Sequence, residues 1–316
     1  MKSILGSMIR SIKGMKSRKS MAGNMSGSVS QNSRMMNAFQ SFLSSTRACL
    51  SIFRIKTAEG FQYRIAALAG AATGIFWVLI EITVYTVFYT YADNKSAGFL
   101  AGMTLPQIRT YSWLTQVLWM MQPMGIDGDI LGKITSGDVG IELCRPLGLY
   151  PHWFAKTAAA RLIPLFWRGS VTLLAGLLMP LSFRLSPPAS PAGFLWMLIS
   201  LAGAFLLCTS YGMLVCAVRL NITWGEGPTY IILLLGGVLS GGYLPLQLWP
   251  DFMQRFLLVQ PFAGYLDLPL RLYLGTLSPR DGVWAVSLQL MWTVVFMAAG
   301  KLLMQRRLKN IVIQGG

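Results

Sequence analysis

The chain has 316 residues, of which 54% are hydrophobic and only 12% charged, with a mean hydropathy of +0.53. Soluble domains carry about 25% charged residues, so an ordinary water-soluble fold is excluded, and the lack of polar–apolar alternation excludes a membrane barrel. The net charge of +16, from 27 Lys and Arg against 11 Asp and Glu, fits the cationic cytoplasmic loops of a polytopic membrane protein and calls for no nucleic acid.

Residues 1–35 are rich in Ser, Met, Gly, Lys and Arg. Gly6 and Ser7 interrupt Ile4-Leu5 before a signal-peptide core can form. This stretch reads as a flexible basic tail, which Lys2, Arg10, Lys13, Lys16, Arg18 and Lys19 can also hold against anionic membrane lipids. In residues 36–58, Phe39, Leu43, Leu50 and Phe53 recur at helical spacing, with Gln40, Ser44, Arg47 and Arg54 between them. That pattern predicts an amphipathic helix lying in the membrane interface.

Apolar blocks of about 20 residues follow, each long enough to cross the hydrocarbon. They predict six transmembrane helices at 65–89, 105–124, 162–183, 194–218, 229–245 and 283–304, within a membrane domain spanning 65–304. Between the fifth and the sixth, Pro250, Pro261, Pro269 and Pro279 break the chain into short re-entrant or interfacial helices. The predicted fold class is therefore an all-α polytopic membrane protein. With the N-terminus inside, 21 basic residues fall on inner segments and five on outer loops. This places both termini, the loop 125–161 and the tail 305–316 in the cytoplasm.

Polar and small residues inside the blocks are candidates for the pathway or for helix packing. Gly70 and Gly74 form a small-xxx-small pattern that lets helices approach closely. Glu81 lies deeper in the same block, where a carboxylate must face protein or water. Gly237, Gly241 and Pro245 crowd the end of the fifth block.

Catalytic chemistry is not legible. Four cysteines, Cys49, Cys144, Cys208 and Cys216, have no metal-binding spacing. His152 is the one histidine, and no Ser/His/Asp set assembles around it. Gly128 to Lys133 superficially resembles a phosphate loop, but Asp127 and Ile134 occupy positions that need Gly and Ser or Thr. No cofactor, metal or nucleotide site is expected in this chain.

The stretch Asp129 to Pro146, DILGKITSGDVGIELCRP, stands apart as a charged island between apolar blocks. Asp127, Asp129, Asp138 and Glu142 lie in or beside it. Ile130, Ile134, Ile141 and Leu143 offer apolar knobs, while Asp138, Glu142 and Arg145 supply a polar rim. An apolar centre with a polar rim is how protein interfaces are built. Pro146 stops the helix before the chain re-enters the membrane. A plain connecting loop is the simpler alternative.

Three patches carry a family resemblance. Ile134-Thr-Ser-Gly-Asp-Val-Gly-Ile-Glu-Leu-Cys-Arg-Pro-Leu147 matches an "I-x-x-G-[DE]…L-x-R-P-L" pattern. Leu239-Ser-Gly-Gly-Tyr-Leu-Pro-Leu246, followed by Leu248-Trp-Pro250 and Gln260-Pro-Phe262, is similar to a "G-x-x-x-P-L…P…P-F" run. A basic C-terminal helix ends in Gln314-Gly315-Gly316. On these the chain resembles the membrane subunit of an ABC-2 type exporter, in the six-span branch similar to daunorubicin-type permeases. The resemblance covers nearly everything after residue 36.

It implies a permease subunit in the bacterial inner membrane, paired with a second permease, either the same chain or a paralogue. A separate cytoplasmic ABC ATPase dimer would use ATP and Mg. The loop between the second and third spans would couple to that ATPase through Ile134, Ser136, Gly137, Asp138, Val139, Glu142, Arg145 and Pro146. The first, second and fifth spans would line or close the path. Two other classes remain open on the residues alone: a membrane-embedded enzyme using Glu81 or Glu226, and an ion-coupled carrier titrating Glu81, each acting on lipid or amphipathic substrates.

Overall fold

The structure, a computed structural model, describes residues 47–59, 64–91, 102–144, 148–222 and 226–309. The predicted tail 1–35, Arg145, Pro146 and the C-terminal residues 310–316 lie outside the described residues. The chain divides into two units, Met1–Ser51 and Ile52–Gly316. Of the first, residues 47–51 are described, and they are helical. They belong to the predicted interfacial helix, whose residues 36–46 are not among those described.

The second unit opens with helical residues 52–59 (α1). The long helices are α2 (Arg64–Tyr91), α6 (Leu149–Leu178), α7 (Pro191–Asn221) and α11 (Gly282–Leu308). Shorter ones lie between them: α3 (Leu105–Leu118), α4 (Gly128–Ser136), α5 (Val139–Leu143), α8 (Gly227–Leu239), α9 (Asp251–Val259) and α10 (Asp267–Leu274).

Among the described residues, four helical stretches are long and apolar enough to cross a membrane: Leu68–Tyr91, Leu149–Leu178, Pro191–Asn221 and Pro279–Leu308. The expectation of six spans is corrected at 105–124 and 229–245. Helix α3 has 14 residues and gives way to a 3-10 turn at Trp119–Met121. Helix α8 has 13 residues and stops before Ser240, Gly241 and Gly242. At 1.5 Å per residue these reach about 20 Å, against roughly 30 Å of hydrocarbon. Apolar composition continues past both helix ends, so counting apolar residues overstates the helices. The third block is displaced as well. Helix α6 starts at Leu149 rather than near Leu162, so Lys156 and Arg161 sit inside it.

Helix α7 is the centre of the bundle. Its most extensive contact is with α11, and α10 packs on it next. Tyr211 of α7 meets Phe262, Tyr265 and Phe296 at ring-centroid distances of 5.2, 5.8 and 5.3 Å. This aromatic knot joins α7 and α11 to the 3-10 turn Pro261–Gly264. Helix α2 packs against α3 and α6. The outward faces stay apolar, as at Phe76, Trp77, Phe166 and Leu174, which suits lipid rather than water.

A buried ion pair within α10 is tied to α3 through Tyr111. The Arg271 Nε donates to Asp267 Oδ2, and Asp267 is fully buried. Tyr111 of α3 donates to the Gly241 carbonyl at 3.0 Å and lies 3.4 Å from Asp267 Oδ1. Gly241 has φ +84°, and a Cβ there would collide with the Tyr111 hydroxyl. Removing one partner of a buried pair strands the other charge. Asp267→Ala is expected to cost about 3–5 kcal/mol, and Tyr111→Phe about 1 kcal/mol. Thermal unfolding of both variants in detergent checks that order.

Candidate functional site

The candidate site is the corner formed by α4, α5 and the start of α6. Asp127 caps α4, its Oδ1 accepting from the N–H groups of Asp129 (3.1 Å) and Ile130 (3.3 Å). Satisfying these otherwise orphaned donors is why the helix starts here. Gly137 ends it at φ +83°, the left-handed conformation that favours glycine. Asp138 then opens α5, and Ser136 Oγ donates to Asp138 Oδ2 at 2.7 Å across the turn.

The underside of this hairpin is buried. Ile130 is fully buried and Val139 is 4% exposed, and they pack with Leu149, Trp153, Met213, Cys216, Ala217, Leu220 and Met304. That cluster gathers the first turns of α6 and the C-terminal ends of α7 and α11. The hairpin therefore sits on three of the four long helices.

A charge knot holds it there. Glu142 is 3% exposed. Its Oε1 pairs with Lys133 and lies 3.6 Å from both His152 Nε2 and Lys156 Nζ. The Trp153 indole N–H donates to Oε2 at 2.6 Å. Lys156 reaches on to Asp129 Oδ2 at 2.6 Å, and Lys133 lies 3.5 Å from Asp129 Oδ1. Burial acts to raise the Glu142 carboxyl, but Lys133, Trp153, Lys156 and His152 outweigh it and hold it below the ordinary carboxylate value. The Lys156 hydrogen bond likewise holds Asp129 low, against a smaller effect of burial.

The upper side faces outward. Thr135, Ser136, Gly137 and Asp138 are exposed, with Ile141 67% and Leu143 43% exposed. Ile134 is half-buried. So of the residues predicted to form a partner surface, Ser136, Gly137, Asp138, Ile141 and Leu143 are accessible. Ile130, Val139 and Glu142 instead anchor the hairpin from below. Glu142 is corrected from rim to anchor because burial of its carboxylate is compensated by two lysines. Sequence reasoning missed Lys133, Trp153 and Lys156 as its partners. The available signal was their spacing once α6 is started at Leu149: Trp153 and Lys156 then share a face, three residues apart.

The predicted pathway residues lie elsewhere, among α2, α3, α6 and α8. Gly70 lets Arg168 of α6 lie against α2, with Arg168 Nη2 donating to the Gly70 carbonyl at 2.8 Å. Gly74 faces Gln116 of α3. The Glu81 carboxyl lies beside Tyr85 and Ser112 of α3. Gly237 is buried near Tyr243, and Pro245 leads into the 3-10 turn Leu246–Leu248. Adjacent residues of α3 thus meet Glu81 and Gly241: Ser112 lies by Glu81 and Tyr111 by Gly241. Among the described residues, no group of three or more His, Cys, Asp or Glu could hold a metal ion.

Apolar helices long enough to cross a membrane and lipid-suited flanks define a multi-pass membrane protein. The chain belongs to the ABC-2 family of transporter proteins, whose family model matches residues 75–315. It is a transport subunit, not an enzyme. No curated protein and no solved structure matches it.

The two depressed carboxylates fix the sign of a pH effect. A lowered folded pKa stabilises above the unfolded value, near 4, and the contribution is lost as pH falls through the folded one. Glu142→Gln is expected to lower stability at pH 7 by about 1.5–3 kcal/mol, the value of hydrogen bonds to a charged group. The gap to the parent protein is expected to narrow below about pH 4. Melting curves of the two proteins from pH 7 to pH 3.5 measure it.

Proposed function

We propose that the chain is the permease subunit of an ATP-driven exporter in the bacterial inner membrane, moved by a separate cytoplasmic ABC ATPase dimer that uses ATP and Mg. A second permease, the same chain or a paralogue, completes the pathway. Family membership supports the transport role. The α4–α5 hairpin carries the rest of the reading. It presents Gly137, Asp138, Ile141 and Leu143 outward, and its buried side is fixed to α6, α7 and α11. A push on the exposed face is therefore delivered to the ends of three long helices, which is what coupling to an external motor needs.

The charge distribution supports a cytoplasmic hairpin. The C-terminal end of α11, with Arg306 and Arg307, and that of α7, with Arg219, lie at the same end of the bundle as Lys133 and Lys156. A cationic end of a membrane bundle is its cytoplasmic end. Arg145 and Pro146 complete the proposed coupling sequence from outside the described residues.

Ile141→Glu tests the assignment, because Ile141 is mostly exposed and its replacement changes the contact face rather than the fold. Thermal stability is expected to stay within about 0.5 kcal/mol of the parent. Co-isolation with the ATPase and ATP-dependent transport are expected to be lost. Normal co-isolation and transport by Ile141→Glu and by Asp138→Arg would overturn the coupling role.

A further inference from the structure

Two charges of opposite sign stand at the contact of α2 with α3 without an ionic partner. Glu81 of α2 is half-buried, and the hydroxyls of Ser112 and Tyr85 lie beside its carboxyl. Both are neutral, so they solvate the carboxylate without balancing its charge. Arg109 of α3 is half-buried as well. Its Nη2 lies 3.5 Å from the Thr86 hydroxyl of α2, and its Nε has no acceptor among the described residues. None of the ion pairs among the described residues includes Glu81 or Arg109. Arg168 also meets α2, but at the Gly70 carbonyl, about 16 Å along the helix from Glu81.

The two charges are close in height. Ser112 marks the level of Glu81 on α3, and Arg109 precedes it by one turn, about 5 Å. Thr86, which meets Arg109, lies about 8 Å beyond Glu81 on α2. Helical spacing also puts Glu81 in line with Trp77, Val84 and Phe88. These three side chains are 58%, 46% and 61% exposed. The carboxylate therefore stands at the edge of an apolar outward stripe, where lipid tails alone would leave its charge uncompensated.

Each charge is costly by itself in apolar surroundings, and a ligand that carries both signs relieves both. A lone cation would leave Arg109 unmatched, and a lone anion would leave Glu81 so. We infer that the α2–α3 contact binds the zwitterionic head of an amphiphile, its cationic group at Glu81, its anionic group at Arg109 and its apolar tail along Trp77, Val84 and Phe88. This names a substrate class for the proposed transport role and rests on that role for calling the ligand a substrate. The binding itself requires no ATPase.

The test is thermal unfolding of the purified full-length chain in an uncharged detergent. It is titrated separately with decylphosphocholine, decyltrimethylammonium, decyl phosphate and the tail-less glycerophosphocholine, each kept below the concentration at which it forms micelles. Decylphosphocholine is expected to raise the midpoint saturably by several degrees. The other three are expected to require far higher concentrations. Glu81→Gln and Arg109→Gln are each expected to weaken the decylphosphocholine response about tenfold or more, the value of a hydrogen bond to a charged group. Should one variant fail to fold, the other still decides the matter. Equal potency of the three decyl compounds, a glycerophosphocholine response as strong as that of decylphosphocholine, or a parental response in either variant would overturn the proposal. Because no ATPase is present in the titration, that result would leave the coupling role of the hairpin standing, and loss of the coupling role would leave the binding standing.

Discussion

A carboxylate buried at the edge of a membrane must be neutralised by its neighbours, and the α4–α6 corner is arranged around that requirement. Glu142 is nearly sealed from solvent, so Lys133, Lys156 and the Trp153 indole all converge on it. Each comes from a different turn of chain. Lys133 ties α4 to α5, and Trp153 and Lys156 tie both to α6. Losing one member leaves the others under-compensated in a region of low dielectric. The knot therefore does what an apolar contact of the same size cannot: it fixes the angle of the hairpin as well as its attachment. The apolar contacts of Ile130 and Val139 below it supply attachment without direction.

The sequence made the class of fold plain because the cost of exposing backbone to lipid leaves few ways to cross a membrane. The blocks around α2, α7 and α11 can be read directly, since each is uninterrupted and longer than the hydrocarbon requires. The blocks at 105–124 and 229–245 mislead for a physical reason. Apolarity reports where a residue is comfortable, and helix length is set by backbone geometry. Trp119–Met121 and Ser240–Gly242 are apolar or small, yet the chain there tightens or turns. Lys156 and Arg161 mislead in the opposite sense. Their charges suggest a loop, whereas α6 carries both inward, where Asp129 meets Lys156 and a cavity beside α7 takes in Arg161.

At the candidate site, the exposed face of the hairpin was legible and its buried face was not. Gly137 announces a helix end, and Ile141 and Leu143 stand out beside charged residues. Glu142 looks identical in sequence to a surface acid. Only the three-dimensional meeting of residues nine, eleven and fourteen positions apart reveals it as an anchor. Gly70 shows the same limit. The small-residue pattern predicts close approach, but not that the approaching group is the Arg168 guanidinium.

Helix α8 has a consequence for the surrounding bilayer. Its outward side chains Tyr230, Ile231, Leu234 and Leu235 are all more than half exposed, and the helix is only 13 residues long. That is about 20 Å of apolar surface, less than the roughly 30 Å of a hydrocarbon core. Lipid tails beside it therefore run past the end of the helix, and the polar groups of the turn that follows have to find their partners within the protein. The Gly241 carbonyl does so with Tyr111, and the Ser240 hydroxyl with Gln122.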